Sequence, residues 1–200
     1  MSDTQYIWDT LNYYIRNDIG TAALMGNLQA ESGLISYRKQ GDFSSGYMVS
    51  KTYTANVDNG SYTESQFVND SIGYGLAQWT WYTRKQKLYN KHRSMNLSIG
   101  SVELGCAYLI EELQTDYSSV WTALVNATNI RAASDVVLVD FESPADQSEA
   151  VKQHRASLAT TIYNQYSGQP LPPQPPGPPI PDPPIPPTIP LWLLFKFSKC

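Results

Sequence analysis

Cysteine is scarce: the 200 residues hold two, Cys106 inside a helical pattern and Cys200 at the end. They form no spaced framework, so neither a disulfide scaffold nor a zinc cluster is indicated, and both are expected to be free thiols. Histidine is equally rare. Neither His92 nor His154 has a partner at metal-ligand spacing, and no Cys-His nucleophile pair is suggested, so a metal site, an amidase and a peptidase all lack support. Charged residues make up only 16% of the chain and the net charge is −4, which denies it the basic excess of a general nucleic-acid binder. The longest apolar cluster, Ile189-Pro-Leu-Trp-Leu-Leu-Phe195, falls short of the roughly 20 residues that span a bilayer, so no transmembrane segment is expected. The amino terminus, Met1-Ser-Asp-Thr-Gln5, leads into an amphipathic stretch without a basic and then apolar region, and no secretory signal is read there.

Proline is nearly absent from the first 167 residues, where only Pro144 occurs, and the other thirteen of the fourteen lie between Pro170 and Pro190. That shift divides the chain into a domain over 1–167, a proline-rich spacer over 168–190 and an apolar, basic tail over 191–200. A run so poor in amide donors favours the extended polyproline form and makes a semi-rigid spacer of roughly 65 Å. The tail reads either as an anchor to a partner assembly or membrane surface, or as a floppy end.

Within the domain the apolar spacing is mainly helical. Tyr6, Ile7, Leu11, Tyr14 and Ile15 open the pattern, with Gly20 read as a stop and Thr21 as the N-cap of a second helix. Helical spacing returns at Val102, Cys106, Leu109, Ile110 and Leu113, around Val120, Leu124 and Val125, and at Val151, Leu158, Ile162 and Tyr166. The run Asp135-Val-Val-Leu-Val-Asp-Phe141 suits a strand by its β-branched residues and a helix by its spacing; it is read as helix. Residues 34–74 lose periodicity and carry turn residues, so they are expected to be irregular with at most short hairpins, shaping a cleft. The fold class is mainly α, or α+β: a helical bundle with a turn-rich wall.

The segment Thr21-Ala-Ala-Leu-Met-Gly-Asn-Leu-Gln-Ala-Glu-Ser-Gly33 is apolar on nearly every side, which marks a buried helix ending at Gly33. Glu31 shares a face with Leu24 and Leu28 in its last turn. Burial and the negative end of the helix dipole both disfavour the charged carboxylate there, which makes Glu31 a candidate general acid. The plainer alternative is a glutamate that swings out to solvent or pairs with an arginine such as Arg38.

A second motif, Ser71-Ile-Gly-Tyr-Gly-Leu-Ala-Gln-Trp-Thr80, follows some forty residues later. Together with Asn27-Leu-Gln-Ala-Glu-Ser-Gly33, Asp58-Asn-Gly-Ser-Tyr62, Phe67-Val-Asn-Asp70, Arg84-Lys85 and Phe141-Glu142-Ser-Pro144, it resembles the phage tail lysozyme family of the lysozyme-like superfamily, over roughly residues 9–166. The resemblance implies a lysozyme-like fold in which Glu31 is the catalytic acid and residues 73–80 form the opposite wall of a glycan cleft. On that reading Gly73 and Gly75 let the backbone approach a sugar, and Gln78 offers an amide to an N-acetyl group or an attacking water. Tyr74 and Trp79 stack on sugar faces, with ordinary core packing as the alternative for both.

A second carboxylate is generally required for glycoside hydrolysis, and the sequence does not name it. Asp70, just before the glycine-rich wall, leads the candidates, with Asp58 and Asp42 behind; each equally suits an Asx-turn, and Asp58 is also placed in the substrate-binding set. If no carboxylate faces Glu31, a transglycosylase route giving a 1,6-anhydro sugar follows. The basic residues Arg84, Lys85, Lys87, Lys91 and Arg93 suit an anionic wall polymer, or else a solvated helix face. The expectation is therefore a bacterial peptidoglycan glycosidase, most simply a muramidase, with no cofactor. It is expected to act from a phage tail, with the spacer and tail meeting other tail proteins, or from the host cytoplasm at lysis. A glucosaminidase, a lytic transglycosylase and a non-catalytic wall-binding or tail-tip module are the alternatives.

Overall fold

The computed structural model describes residues 1–170; the rest of the spacer and the 191–200 tail lie outside the described residues. The elements run α1 (Asp3–Ile15), α2 (Asp18–Ser32), a 3-10 turn (Ser45–Tyr47), α3 (Met48–Asp58), α4 (Glu64–Asn69), α5 (Tyr82–Met95), α6 (Val102–Thr115), α7 (Ser118–Val125), α8 (Ile130–Val136), a π turn (Val137–Glu142) and α9 (Glu149–Tyr166). The fold is mainly α, as the spacing predicts. In place of a sheet, the described residues carry two isolated antiparallel bridges, Lys39 with Tyr74 and Tyr74 with Trp79.

The hub is α2, buried from Gly20 through Leu28 and again at Ser32. Against it pack α1, α7, α8 and, most extensively, α9. The approach of α9 is close because residue 26 is glycine: a Cβ there would stand 2.5 Å from the Ala159 nitrogen. The far end of α9 is fixed by Tyr166, whose ring stacks on Trp8 of α1 with centroids 5.3 Å apart.

The junction of α1 and α2 differs from the expectation. Gly20 does not stop a helix; Arg16 ends α1 in a left-handed conformation, and Asn17 caps α2 by accepting from the Gly20 amide at 3.0 Å. Gly20 sits in the first turn of α2 because a Cβ there would lie 2.0 Å from the Leu124 carbonyl oxygen of α7. Gly33 ends α2 as predicted, at φ 70°.

Residues 34–74 contain helices rather than hairpins. Ser50, Tyr53 and Val57 give α3 one buried stripe, and α4 begins in a capping box between Thr63 and Gln66. Tyr47 offers no cap to α3. Asp42 supplies it from outside, accepting from the Ser50 amide at 2.7 Å and the Ser50 hydroxyl at 2.6 Å. Burial pushes the Asp42 carboxyl up, but hydrogen bonds from Ser44 and Ser50 outweigh it and hold the group well below the usual range.

Gly26→Ala places a methyl inside the α2–α9 contact, and overpacking of this kind costs about 1–3 kcal/mol. Alanine's helix propensity returns up to about 1 kcal/mol. A net loss of stability is expected in urea unfolding, and a larger one for Gly26→Val. An unchanged midpoint for both would mean that α9 does not lie on α2 this closely.

Candidate active site

The last turn of α2, the end of the π turn and the loops at residues 38–43 and 73–81 surround a cleft of about 580 Å³. Glu31 and Ala30 line it from α2, and Phe141, Glu142, Ser143 and Pro144 continue that wall. Facing them are Gln40, Gly73, Ala77 and Gln78, with Phe43 and Trp81 at 90% and 73% exposure offering uncovered aromatic faces.

The wall at 73–80 is a tight backbone construction. Tyr74 and Trp79 exchange backbone hydrogen bonds at 3.2 and 2.9 Å, the Gly75 amide reaches the Arg38 carbonyl, and Gln40 bonds both polar groups of the Gly73 backbone. Gln78, itself left-handed at φ 46°, donates its side-chain amide to the carbonyls of Arg38 and Gly75 at 3.1 and 3.0 Å. Its carbonyl oxygen lies beside Gly73, where any Cβ would come within 3.0 Å of it. Glycine at 73 therefore makes room for Gln78. Gly75, at φ 78°, makes room for the Trp79 ring, which a Cβ would meet at 2.7 Å.

Of the residues read from the sequence, Glu31, Gln78 and Gly73 are brought to one cleft. Gly75 is buried beneath it. Tyr74 and Trp79 are core residues: the Tyr74 hydroxyl meets Thr54 at 2.6 Å, and the Trp79 indole donates to Glu112 at 2.9 Å. The exposed aromatic faces belong instead to Phe43 and Trp81. Asp58 lies away from the cleft, accepting from Ser98 and from the Ile99 amide at 2.6 and 2.7 Å.

Asp70 is also turned away. It forms a buried ion pair with Lys85, accepts from the hydroxyls of Tyr53 and Tyr62 and receives the Ile72 amide at 2.9 Å. Burial pulls the Lys85 ammonium below its usual value against the opposing charge of Asp70. Most of the basic stretch is spent in the same manner: Arg84 grips Glu112 with two hydrogen bonds, Lys87 pairs with Asp116, and Lys91 pairs with Glu111. Few of those charges remain for an anionic polymer. Among the described residues, no group of three or more histidine, cysteine or acidic side chains could hold a metal ion.

Glu31 meets a partner that its sequence neighbourhood does not announce. Arg155 of α9, buried to within 7% of full enclosure, forms an ion pair with it and donates to the Asn27 carbonyl at 3.1 Å. The burial expected at Glu31 acts on the Glu142 carboxyl instead. Its Oε1 is sealed and has no hydrogen-bond partner among the described residues. Burial first, and the negative charge of Glu31 second, push the Glu142 carboxyl up to about 8. The sequence signal for Glu142 is an acidic residue at the end of the run Val137, Leu138 and Phe141, all three buried.

Two measurements test this electrostatic layout. Removing one partner of a buried ion pair costs about 3–5 kcal/mol, so Asp70→Asn is expected to fail in urea unfolding rather than in chemistry; wild-type stability with lost activity would return Asp70 to the site. Glu142 keeps its proton to about pH 8 when folded, whereas its ordinary value is 4.5. The native state therefore binds the extra proton, and stability falls as pH rises through that window. Glu142→Gln removes this loss, so the Tm of the variant minus that of the wild type should rise between pH 5 and pH 8.5. A difference independent of pH would contradict the burial of this carboxyl.

No curated protein and no solved structure matches the chain. A family model described as phage tail lysozyme matches residues 2–166, from the N-cap of α1 to the final residue of α9. The match takes in every element that builds the cleft, and the chain belongs to the phage tail lysozyme family, with the peptidoglycan-degrading, lysozyme-like activity which that membership carries.

Proposed function

We propose that the protein is a muramidase, hydrolysing the β-1,4 bond between N-acetylmuramic acid and N-acetylglucosamine. The observation that carries the reading is the placement of Glu31 in the same cleft as Gln78, with Phe43 and Trp81 uncovered beside them. Peptidoglycan strands are long, so they need a trough that accepts chain on both sides of the broken bond. Exposed aromatic faces suit the apolar faces of pyranose rings, and the Gln78 carbonyl, freed for the cleft because the amide nitrogen is held by backbone, suits an N-acetyl N–H. Glu31 is the carboxyl at the reacting centre. Its ion pair with Arg155, which is itself anchored on the backbone of α2, fixes the position of that carboxyl. The setting we propose is wall penetration from a phage tail, or lysis, with the spacer and tail meeting other tail proteins.

Mass spectrometry of fragments released from purified peptidoglycan tests the reading. Reducing N-acetylmuramic acid ends are expected. Reducing N-acetylglucosamine ends would make the protein a glucosaminidase, 1,6-anhydro ends a transglycosylase, and release of nothing from several wall types a binding module. Glu31→Gln is expected to lower the rate by about 10²–10⁴-fold, the range for loss of an acid–base group. Undiminished release by that variant would place the chemistry elsewhere.

A further inference from the structure

The cleft is lined by two glutamates, Glu31 and Glu142, and two arginines, Arg38 and Arg84. Arg84 is spent on Glu112, whose two carboxylate oxygens it holds. Glu31 takes its counter-charge from Arg155 on α9 and not from Arg38. Arg38 is therefore left at the cleft as a cation without a carboxylate. Among the described residues its guanidinium forms no ion pair and no hydrogen bond.

The position of Arg38 is nonetheless fixed. Its amide donates to the Ile35 carbonyl at 3.1 Å, and its carbonyl accepts from the Gly75 amide at 2.9 Å and from the Gln78 side chain at 3.1 Å. Arg38 thus belongs to the wall that carries Gln78. Its side chain is held over the Tyr47 ring, with the guanidinium carbon 4.4 Å from the ring centroid. Stacking of this kind takes up one face of the guanidinium and leaves its N–H edge for a partner lying in the same plane. A two-pronged edge matches a carboxylate, whose two oxygens accept both N–H groups.

Water serves those donors while the cleft is open, but a bound glycan strand displaces water, and a half-buried cation then needs an anion. A neutral sugar polymer offers none. The strand proposed above does, because every second sugar carries a lactyl ether that ends in a carboxyl group. On bare glycan that carboxylate is free; in the intact wall it is joined to a peptide with free carboxylates of its own.

We propose that Arg38 is a specificity-determining residue that binds a carboxylate of the muramyl side chain, either the lactyl carboxylate or one on its peptide. The inference rests on the cleft being the glycan-cleaving site. Arg38 makes and breaks no covalent bond. It adds the charged substituent to what the site recognises, alongside the ring faces met by Phe43 and Trp81 and the N-acetyl group met by Gln78.

The test uses the full chain and glycan strands freed of phosphate-bearing wall polymers, with and without their peptides, each before and after conversion of the carboxylates to methylamides. Strand ends released are counted by mass spectrometry to give kcat/KM for wild type, Arg38→Gln and Arg38→Lys. Neutralising the strands is expected to lower the wild-type value by about ten- to a hundredfold, the range for a hydrogen bond to a charged group. The loss should fall mainly on KM. For Arg38→Gln the same neutralisation should cost no more than about twofold, the scatter seen for uncoupled changes. Coupling on bare strands identifies the lactyl carboxylate, and coupling on peptide-bearing strands alone identifies the peptide; either supports the proposal. Arg38→Lys keeps the charge without the fork and should retain part of the discrimination, which covers a glutamine variant that folds poorly. If wild type cuts charged and neutral strands alike, or Arg38→Gln loses the same factor on both, the assignment is overturned while the glycosidase reading stands. Discrimination seen only on walls that keep their phosphate polymers would likewise overturn it in favour of a phosphate. A wild type that cuts no strand overturns both.

Discussion

A helix enclosed by its neighbours cannot carry a charge without help, and α2 is enclosed from Gly20 to Leu28. Its polar side chains are answered from other elements: Asn27 donates to Ser134 on α8, and Arg155 of α9 returns to the Asn27 carbonyl and to Glu31. The α2–α9 contact that lets Arg155 do so depends on the missing side chain at Gly26. Packing and electrostatics are therefore one constraint. If α9 stood farther off, the carboxyl at the end of α2 would lose its counter-charge, and the wall of the cleft would lose its definition.

The opposite wall is built on a different principle. Residues 73–80 have no regular element of their own and are held by backbone hydrogen bonds to residues 38–40, by the Gln78 side chain and by the Trp79 ring anchored on Glu112. Glu112 collects Arg84, Trp79 and Tyr108 beneath the cleft. Asp70 gathers Lys85, Tyr53 and Tyr62 in the same fashion. Two acidic groups, Glu112 and Asp70, are thus structural posts.

Much of this was legible in the sequence. The buried α2, its stop at Gly33, the placement of Glu31 in its last turn and the helical second half follow from apolar spacing and one glycine. Glu31, Gly73 and Gln78 do share a cleft. What periodicity could not deliver were relations across long stretches of chain: Arg155 stands 124 residues from Glu31. The choice between Tyr74 and Trp79 on one side and Phe43 and Trp81 on the other also escapes, because aromatic residues beside a glycine-rich turn do not reveal which way each one faces. The helices within 34–74 were readable in part, since Thr63 and Gln66 form a capping box. Asp42 capping α3 from six residues before its start was not, as such a cap has no fixed spacing.

One further relation concerns where the described chain departs. Beyond α9, the Gly168 amide donates to the Asp18 carboxylate at 2.8 Å, and Gln169 accepts from Gln5 at 3.3 Å. Asp18 opens α2 and Glu31 stands in its last turn, about 20 Å away at the rise of an α-helix. The described chain thus ends near the opposite pole of the same helix that bears Glu31. The last described residues are tied to the start of α2 and the first turn of α1, a helix length away from the cleft.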